Sequence, residues 1–329
     1  MRRRHRPDAE HEADKEHGMA QLGLVGLGKM GFNMRDRLRA AGHEVVGYDR
    51  DPAATDTASL ADLVGALTAP RVVWVMVPAG EPTRATVTEL ADLLDEGDVV
   101  IDGGNSRYTD DTEHAELLAR NGIGYLDVGV SGGVWGKENG YGLMVGGADD
   151  DVRRAMPFFD ALRPEGPRDE GFAHAGGVGA GHYAKMVHNG IEYGLMQAYA
   201  EGFELLDASD VVSDVPAVVK AWQRGTVVRS WLLELLVRAL DADPGLGELE
   251  GYVEDSGEGR WTLEEAVNNA VPAPVLAAAL FARFASRQED SAAMRAVAAL
   301  REQFGGHSVR PSSGEGTAPG GPDGGKVAD

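Results

Sequence analysis

The sequence predicts an α/β Rossmann domain, a doubly wound and mostly parallel sheet, followed by an all-α domain. Three observations carry this expectation. An apolar run at 21–25 leads into Gly26-Leu27-Gly28-Lys29-Met30-Gly31 and then into a helical pattern to about residue 41, which is G-x-G-x-x-G between a strand and a helix. Further short apolar runs follow, with a helical pattern at 81–94, as in a sheet wound with crossover helices. Beyond a glycine-rich loop near residue 180 every periodic stretch is helical. The division drawn from this is an N-terminal extension over 1–18, a dinucleotide-binding domain over 19–177, a helical substrate and oligomerisation domain over 178–307, and a disordered tail over 308–329.

Composition excludes several classes of function. The chain has 329 residues, enough for two domains of ordinary size. It contains no cysteine, hence no disulfide frame, thiolate metal site or cysteine nucleophile. A formal net charge of −22 argues against nucleic acid and against an anionic membrane surface as partners. A small anionic substrate needs only a local cluster of cations, so it stays open. Residues 1–18 combine Arg2, Arg3 and Arg4 with many acids and lack the apolar core of a signal peptide. They read as a disordered extension or an early start codon before Met19, and the protein is expected to be cytoplasmic.

The glycine fingerprint has a role for each glycine. Gly26 permits the tight turn, Gly28 lets backbone approach a pyrophosphate, and Gly31 allows close packing of helix on strand. The pyrophosphate would sit over Leu27, Lys29 and Met30 at the helix start, where free N–H groups and the dipole favour anions. A second strand at 44–48 ends in Asp49, about 20 residues after the glycines, where a carboxylate accepts from ribose hydroxyls and repels a 2′-phosphate. This favours NAD. Arg50 follows immediately and could pair a 2′-phosphate, so NADP stays open.

A strand at 72–77 closes with Val77-Pro78-Ala79-Gly80, and a helix at 81–94 lies behind it. A strand at 99–101 leads into Asp102-Gly103-Gly104-Asn105-Ser106. Both loops fall at the carboxyl ends of parallel strands, the side on which open α/β sheets bind ligands. Further strands are read at 125–128 and 143–145. Between them Ser131-Gly132-Gly133-Val134-Trp135-Gly136 offers backbone N–H groups and a hydroxyl. Any one of these glycine loops taken alone reads equally well as a plain turn.

Gly176, Gly177, Gly179 and Gly181 read as a loop that ends where a long helix begins, running to about residue 206. On it Lys185, His188, Asn189 and Glu192 stand at i, i+3, i+4 and i+7 and share one face. A cation, an imidazole, an amide and a carboxylate on one stripe suit a cleft wall better than a core. Met186, Val187, Ile191 and Leu195 make the other face apolar, which fits a surface helix as well as a cleft-lining one. Helices are then expected at about 215–223, 230–240, 263–269, 274–286 and 291–304, the last ended by Gly305-Gly306-His307.

With these motifs in place the chain resembles the 6-phosphogluconate dehydrogenases (decarboxylating), of the short, NAD-preferring kind within the β-hydroxyacid dehydrogenase superfamily. The resemblance runs from about residue 19 to 309. It rests on Gly26–Gly31, Asp102 to Ser106, Ser131-Gly132-Gly133, Lys185 to Tyr193, Gly259-Arg260-Trp261-Thr262, Phe281-Ala282-Arg283 and Arg301 to His307, in the family's order. Lys-x-x-His-Asn-Gly-x-Glu-Tyr is the most specific of these.

The resemblance implies oxidative decarboxylation of 6-phosphogluconate to ribulose 5-phosphate and CO2. It implies Lys185 as the general base at the C3 hydroxyl, and a base of that kind must be neutral, which burial and nearby cations achieve by lowering an amine from about 10.4 towards about 7–8. It implies Glu192 as the acid that protonates C1 of the enediol. Asn105, Ser131, Gly132, Gly133, His188 and Asn189 would hold the sugar acid, and Asn105 would also lie near the nicotinamide. Tyr193, Arg283, Arg301 and His307 would take the phosphate, with Arg301 and His307 reaching a neighbouring subunit's site in a homodimer or homotetramer. No metal is implied. Two departures stand out. The chain lacks the second set of helices of long family members, which a partner subunit would supply. Ser256 and Glu258 occupy places where long members carry Lys and Thr.

Two other readings compete with this one. A dehydrogenase for a small unphosphorylated 3-hydroxy acid would need no phosphate-binding arginines. A silent dinucleotide-binding sensor would have no use for an acid–base pair on one helix face.

Overall fold

The computed structural model describes residues 19–305 and 308–310. The expectations for residues 1–18 and for most of the 308–329 tail lie outside the described residues, as does His307. The described chain forms two compact units that divide after Met186.

The first unit is a seven-stranded sheet in the order β2-β1-β3-β4-β5-β6-β7. Its strands are β1 (Gln21–Val25), β2 (Glu44–Tyr48), β3 (Val72–Val75), β4 (Val99–Asp102), β5 (Gly124–Ser131), β6 (Gly142–Gly147) and β7 (Phe172–Gly176). β1 to β5 pair in parallel. β6 runs antiparallel to β5, and β7 parallel to β6. The reversal follows from chain length: a parallel return needs a crossover of a dozen residues or more, and residues 132–141 are too few.

Every side chain of β3 and β4 is buried. That burial explains why these strands read as continuous apolar runs with no alternation. Helices cover both faces. On one, α1 (Lys29–Ala40) packs Met34 and Leu38 beside Leu22, Leu24, Trp74 and Ile101, with Phe158 and Phe159 from Asp149–Leu162. On the other, helices Leu60–Gly65, Glu81–Leu93 and Asp111–Ala119 pack Leu63, Val87, Leu90 and Leu118 against Val73, Val75 and Val100. These are α2, α3 and α4. Gly136–Asn139 is α5 and Asp149–Leu162 is α6.

Several expectations need correction. β3 stops at Val75, so Met76 and Val77 belong to the loop. α2, α4, α6 and the edge strand β7 were not assigned from the sequence. Little of β7 is buried, so the apolar alternation that reveals a strand is missing from it.

α7 (Ala180–Asp207) is one continuous helix of 28 residues. Gly181 already lies in its first turn, where a Cβ would meet Asp127 O at 2.4 Å and Met144 O at 2.5 Å. The start of α7 therefore packs directly on the sheet. The boundary drawn at 177/178 marks the end of β7, whereas the compact units divide inside α7.

The second unit is helical. It continues with α8 (Val215–Ala221), α9 (Trp231–Ala242), α10 (Glu258–Asn268), α11 (Pro274–Ala285) and α12 (Ala292–Gly305). Asp214 and Ser230 cap α8 and α9 by accepting from Ala217 and Leu233 N–H, and Pro274 opens α11 where its missing N–H costs nothing. Val215, Val219, Leu233, Val237 and Leu240 form a small core with Tyr199 and Phe203. α10 begins five residues earlier than the apolar period suggested, at Glu258 rather than 263, so Arg260, Trp261 and Thr262 are helical. Among the described residues no helix is long and apolar enough to cross a membrane.

Candidate active site

The parallel pairing of β1 to β5 brings their carboxyl ends to one edge of the sheet. The glycine fingerprint after β1, Asp49 and Arg50 after β2, Val77-Pro78-Ala79 after β3, Asn105 after β4 and Ser131-Gly132-Gly133 at the end of β5 all emerge there. Strand order reverses between β1 and β3. Such a switch point opens a crevice above the first loop.

Each fingerprint glycine meets a different constraint. Gly26 has φ +91, and a Cβ on it would lie 2.5 Å from Met76 O. A Cβ on Gly31 would lie 2.0 Å from Gly26 O, so the helix and the turn touch directly. Gly28, at the N-terminus of α1, has nothing within 4 Å of its Cβ position. The space that a side chain would fill is open exactly where N–H groups of the first helical turn lack intrahelical partners. These residues therefore fit a dinucleotide pyrophosphate.

Asp49 has a second task. Its Oδ2 accepts the Leu27 N–H at 2.6 Å and its Oδ1 accepts the Asp51 N–H at 2.8 Å. It thereby ties the end of β2 to the fingerprint turn, and Arg50 beside it is exposed.

The loop after β4 is closed from below by buried Asp102, which accepts the Gly104 N–H at 3.0 Å and the Ser106 hydroxyl at 2.7 Å. Gly103 packs on the Trp74 indole, where a Cβ would lie 2.1 Å from Nε1. Asn105 is left exposed at the apex. Gly132 and Gly133 both take positive φ, 140° and 53°, so the turn after Ser131 needs residues without a Cβ penalty. Asn33 of α1 donates to Val134 O at 3.3 Å, linking the loop after β5 to the fingerprint helix.

Lys185 is buried, with 9% of its surface exposed. The base of its side chain packs on β5 at Gly129, where an added Cβ would lie 2.4 Å from the Lys185 Cβ. The four polar positions on α7 are not equivalent. Lys185 and Asn189 are buried, whereas His188 and Glu192 are partly open, with 44% and 35% of their side chains exposed. His188 Nδ1 lies 3.3 Å from Asn189 Oδ1 and 3.9 Å from Glu192 Oε2. On the other face Met186 is buried, but Ile191 and Leu195 are exposed.

Within the second unit Tyr193 is buried beneath Arg283, whose guanidinium lies 3.5 Å from the ring centroid and donates to Glu254 O at 3.0 Å. The Tyr193 hydroxyl accepts the Ser256 N–H at 3.3 Å. Glu258 is also buried and accepts the Ser256 hydroxyl at 2.6 Å. Arg260 and Arg287 both bind Asp255, and Arg260 first, despite the carboxyl's partial burial, holds it below the usual carboxylate range. Arg301 is exposed on α12.

Sequence reasoning missed a buried polar cluster around the first turn of α7. Asp127 Oδ1 accepts the Gly179 N–H at 2.7 Å and Oδ2 the His182 N–H at 2.8 Å, capping the helix. His182 Nδ1 lies 2.9 Å from both oxygens of Asp111, and the Tyr125 hydroxyl donates to Asp111 Oδ1 at 2.8 Å. Burial pushes the Asp111 carboxyl up to about 6 against the pull of His182. Burial alone would lower the His182 imidazole, but the hydrogen bond and charge of Asp111 outweigh it and raise it to about 9. Near neutrality the two form a buried ion pair. The available signal was the position of His182, one helical turn before Lys185.

A family described as the NAD binding domain of 6-phosphogluconate dehydrogenase matches residues 21–164, and the 6-phosphogluconate dehydrogenase C-terminal domain matches residues 181–315. The chain is 44% identical over 299 residues to the NAD(+)-dependent, decarboxylating 6-phosphogluconate dehydrogenase of Haloferax volcanii, covering 88% of this chain and 98% of that one. It is 36% identical over 296 residues to the decarboxylating 6-phosphogluconate dehydrogenase of Lactococcus lactis, covering 82% of this chain and 62% of the longer relative. In fold it is similar to the Plasmodium falciparum 6-phosphogluconate dehydrogenase, with a TM-score of 0.75 at 24% identity over 90% of this chain and 67% of that one. The chain belongs to the 6-phosphogluconate dehydrogenase family.

Proposed function

We propose that the protein oxidises and decarboxylates 6-phospho-D-gluconate to D-ribulose 5-phosphate and CO2, with NAD as the hydride acceptor. The observation that carries this reading is Lys185, a buried lysine held against Gly129 near the carboxyl end of β5, on the sheet edge that also carries the fingerprint and Asn105. The name of the Haloferax relative supports both the reaction and the choice of NAD.

The fingerprint loop and the start of α1 would hold the pyrophosphate, and Asp49 would accept from the adenosine ribose. Bound there, NAD supplies a hydride acceptor. Lys185 takes the proton from the C3 hydroxyl as hydride leaves C3, then as an ammonium polarises the new carbonyl while the C1 carboxylate departs as CO2. Glu192 protonates the resulting enediol. Asn105, Ser131, Gly132, Gly133, His188 and Asn189 orient the sugar acid. Tyr193 and Arg283 take the phosphate, with Arg301 and His307 contributed to a neighbouring subunit's site, a task suited to guanidinium.

That last role requires a homodimer or homotetramer. Exposed apolar side chains on the second unit support it, among them Ile191, Leu195, Phe281 and Phe304, the last 95% exposed. Large apolar side chains left in water favour association. A cytoplasmic location suits a pentose phosphate enzyme with a diffusible cofactor.

A second reading, a dehydrogenase for a small unphosphorylated 3-hydroxy acid, draws on Glu258. Its buried carboxylate stands two residues from Ser256, which contacts Tyr193, and a carboxylate is a poor neighbour for phosphate. The deciding experiment is nicotinamide reduction by purified protein given 6-phosphogluconate, with NAD and NADP in parallel. Turnover with NAD supports the proposal, and turnover confined to NADP moves the cofactor assignment from Asp49 to Arg50. If the protein binds NAD but turns over only unphosphorylated 3-hydroxy acids, and Arg283→Ala leaves that turnover unchanged, the second reading replaces the first.

A further inference from the structure

Asp111 and His182 lie outside every role assigned above, yet they are among the most deeply buried polar residues of the chain, 0% and 2% exposed. Asp111 opens α4 and stands beneath two parts of the candidate site. On one side, through His182, it reaches the first turn of α7, three residues before Lys185. On the other, carboxylate oxygens of Asp102 and Asp111 and a ring nitrogen of His114 all lie within 4.8 Å of one another. Asp102 is the residue that closes the Asn105 loop. Asp102 and Asp127 are register partners on β4 and β5, so the cluster spans the two strands whose carboxyl ends carry Asn105 and Ser131.

The cluster is not a vacant cation site. Both Asp127 oxygens accept backbone N–H groups, and Asp111 accepts from Tyr125 and pairs with His182. Its energetics are those of a buried ionic network. Desolvating several charges costs enough that an apolar replacement of similar volume is often neutral or stabilising. Burial alone therefore gives no reason for three carboxylates here. What the network does supply is direction. A two-oxygen contact to one imidazole nitrogen, together with the Asp127 cap, leaves the first turn of α7 little freedom to rotate or slide.

We infer that Asp111 and His182 are positioning residues for hydride transfer: their ion pair sets the rotation of the first turn of α7 and so places the Lys185 amine relative to the Asn105 loop. The inference rests on the proposed function, in which Lys185 is the base. Misplacing a reacting group by about 1 Å can cost on the order of 100-fold in rate. The cofactor fingerprint and Asp49 lie on other strands and should not feel the change.

The test uses the full-length protein and the variants His182→Leu, His182→Gln, Asp111→Asn and Tyr125→Phe. Each is measured for melting temperature, NAD affinity, kcat, KM and the kinetic isotope effect with 3-deuterated 6-phosphogluconate. The expected result is kcat lower by roughly 10- to 100-fold in His182→Leu and Asp111→Asn, NAD affinity within about twofold of the parent, and a larger isotope effect as hydride transfer becomes rate-limiting. His182→Gln, which keeps an amide donor able to reach towards Asp111, should recover part of what His182→Leu loses. Parental kcat and isotope effect in a folded variant would overturn the inference. So would a loss of kcat that merely tracks a loss of NAD affinity and melting temperature, or equal losses in the Leu and Gln variants. Should the substitutions at 111 and 182 not fold, Tyr125→Phe decides, because it removes one hydroxyl from the network: a reduced kcat with a raised isotope effect supports positioning, and parental values overturn it. A parent protein inactive on 6-phosphogluconate is a different outcome. It would overturn the function proposal, and the same variants would then be compared on 3-hydroxy acids with NAD.

Discussion

Gly129 on β5 and Lys185 on α7 come so close that a methyl group on the glycine would lie 2.4 Å from the lysine Cβ and 3.0 Å from Gly181 O. The base of the Lys185 side chain fills the space that a strand side chain would otherwise take. Gly129→Ala must therefore push α7 away from the sheet. The expected result is a destabilisation of about 1–3 kcal/mol from overpacking and a fall in kcat of at least about tenfold. NAD affinity should stay within about twofold, which equilibrium binding checks.

Lys185→Met removes the proposed base and keeps most of the apolar stem. Turnover of 6-phosphogluconate should disappear while NAD binding is nearly intact. Normal turnover by this variant would rule Lys185 out as the base.

Gly28 and Gly31 separate binding from folding within one motif. Gly28→Ala adds a methyl group where no chain atom lies within 4 Å, at an ordinary φ of −61°. It should melt within a degree or two of the parent and bind NAD about tenfold or more weakly, because the methyl occupies the pyrophosphate's approach. Gly31→Ala, facing Gly26 O at 2.0 Å, should instead lower the melting temperature by several degrees. Equal melting temperatures for the two variants would contradict the packing described.

Asp49→Ala removes the acceptor for the Leu27 and Asp51 N–H groups and the charge that disfavours a 2′-phosphate. The expected change in steady-state kinetics is a drop of about tenfold or more in kcat/KM with NAD and a rise in relative preference for NADP. Arg50→Ala in the same background should cancel the gain with NADP.

The Asp111–His182 pair makes stability depend on pH in a stated direction. The folded value for His182, about 9, lies above its ordinary 6.5. Its contribution is complete below about 6.5 and is lost as pH rises through about 9. Asp111 is also raised, from 3.8 to about 6, so its own titration is largely over by about pH 7, near the start of that window. Melting temperature should fall between pH 6.5 and 9.5 in the parent, and more steeply than in His182→Gln. Parallel curves would show that His182 is not charged in the folded protein.

Much of the first unit was legible because its signals are local. The glycine spacing, the acidic residue after β2 and the apolar runs of β1, β3 and β4 each follow from short stretches of chain. The starts of helices in the second unit, such as Ser230 and Pro274, are local as well. β7 and α10 were misjudged for the opposite reason. β7 has little burial to impose a period, and the start of α10 is set by Gly257, whose φ of 102° no spacing announces.

By itself the sequence determined the fold class, the cofactor fingerprint and the polar stripe of α7, because periodicity and glycine chemistry act within a few residues. Only the tertiary structure decided that Lys185 and Asn189 are buried while His188 and Glu192 stay partly open, since burial depends on what packs against each turn. The same holds for Asp102, Asp111, Asp127 and His182. They are scattered from residue 102 to residue 182 and become one network only when β4 and β5 pair and α7 docks on Gly129 and Gly146. Hydrogen bonds across such separations leave no period in a sequence, because their geometry is set by the sheet.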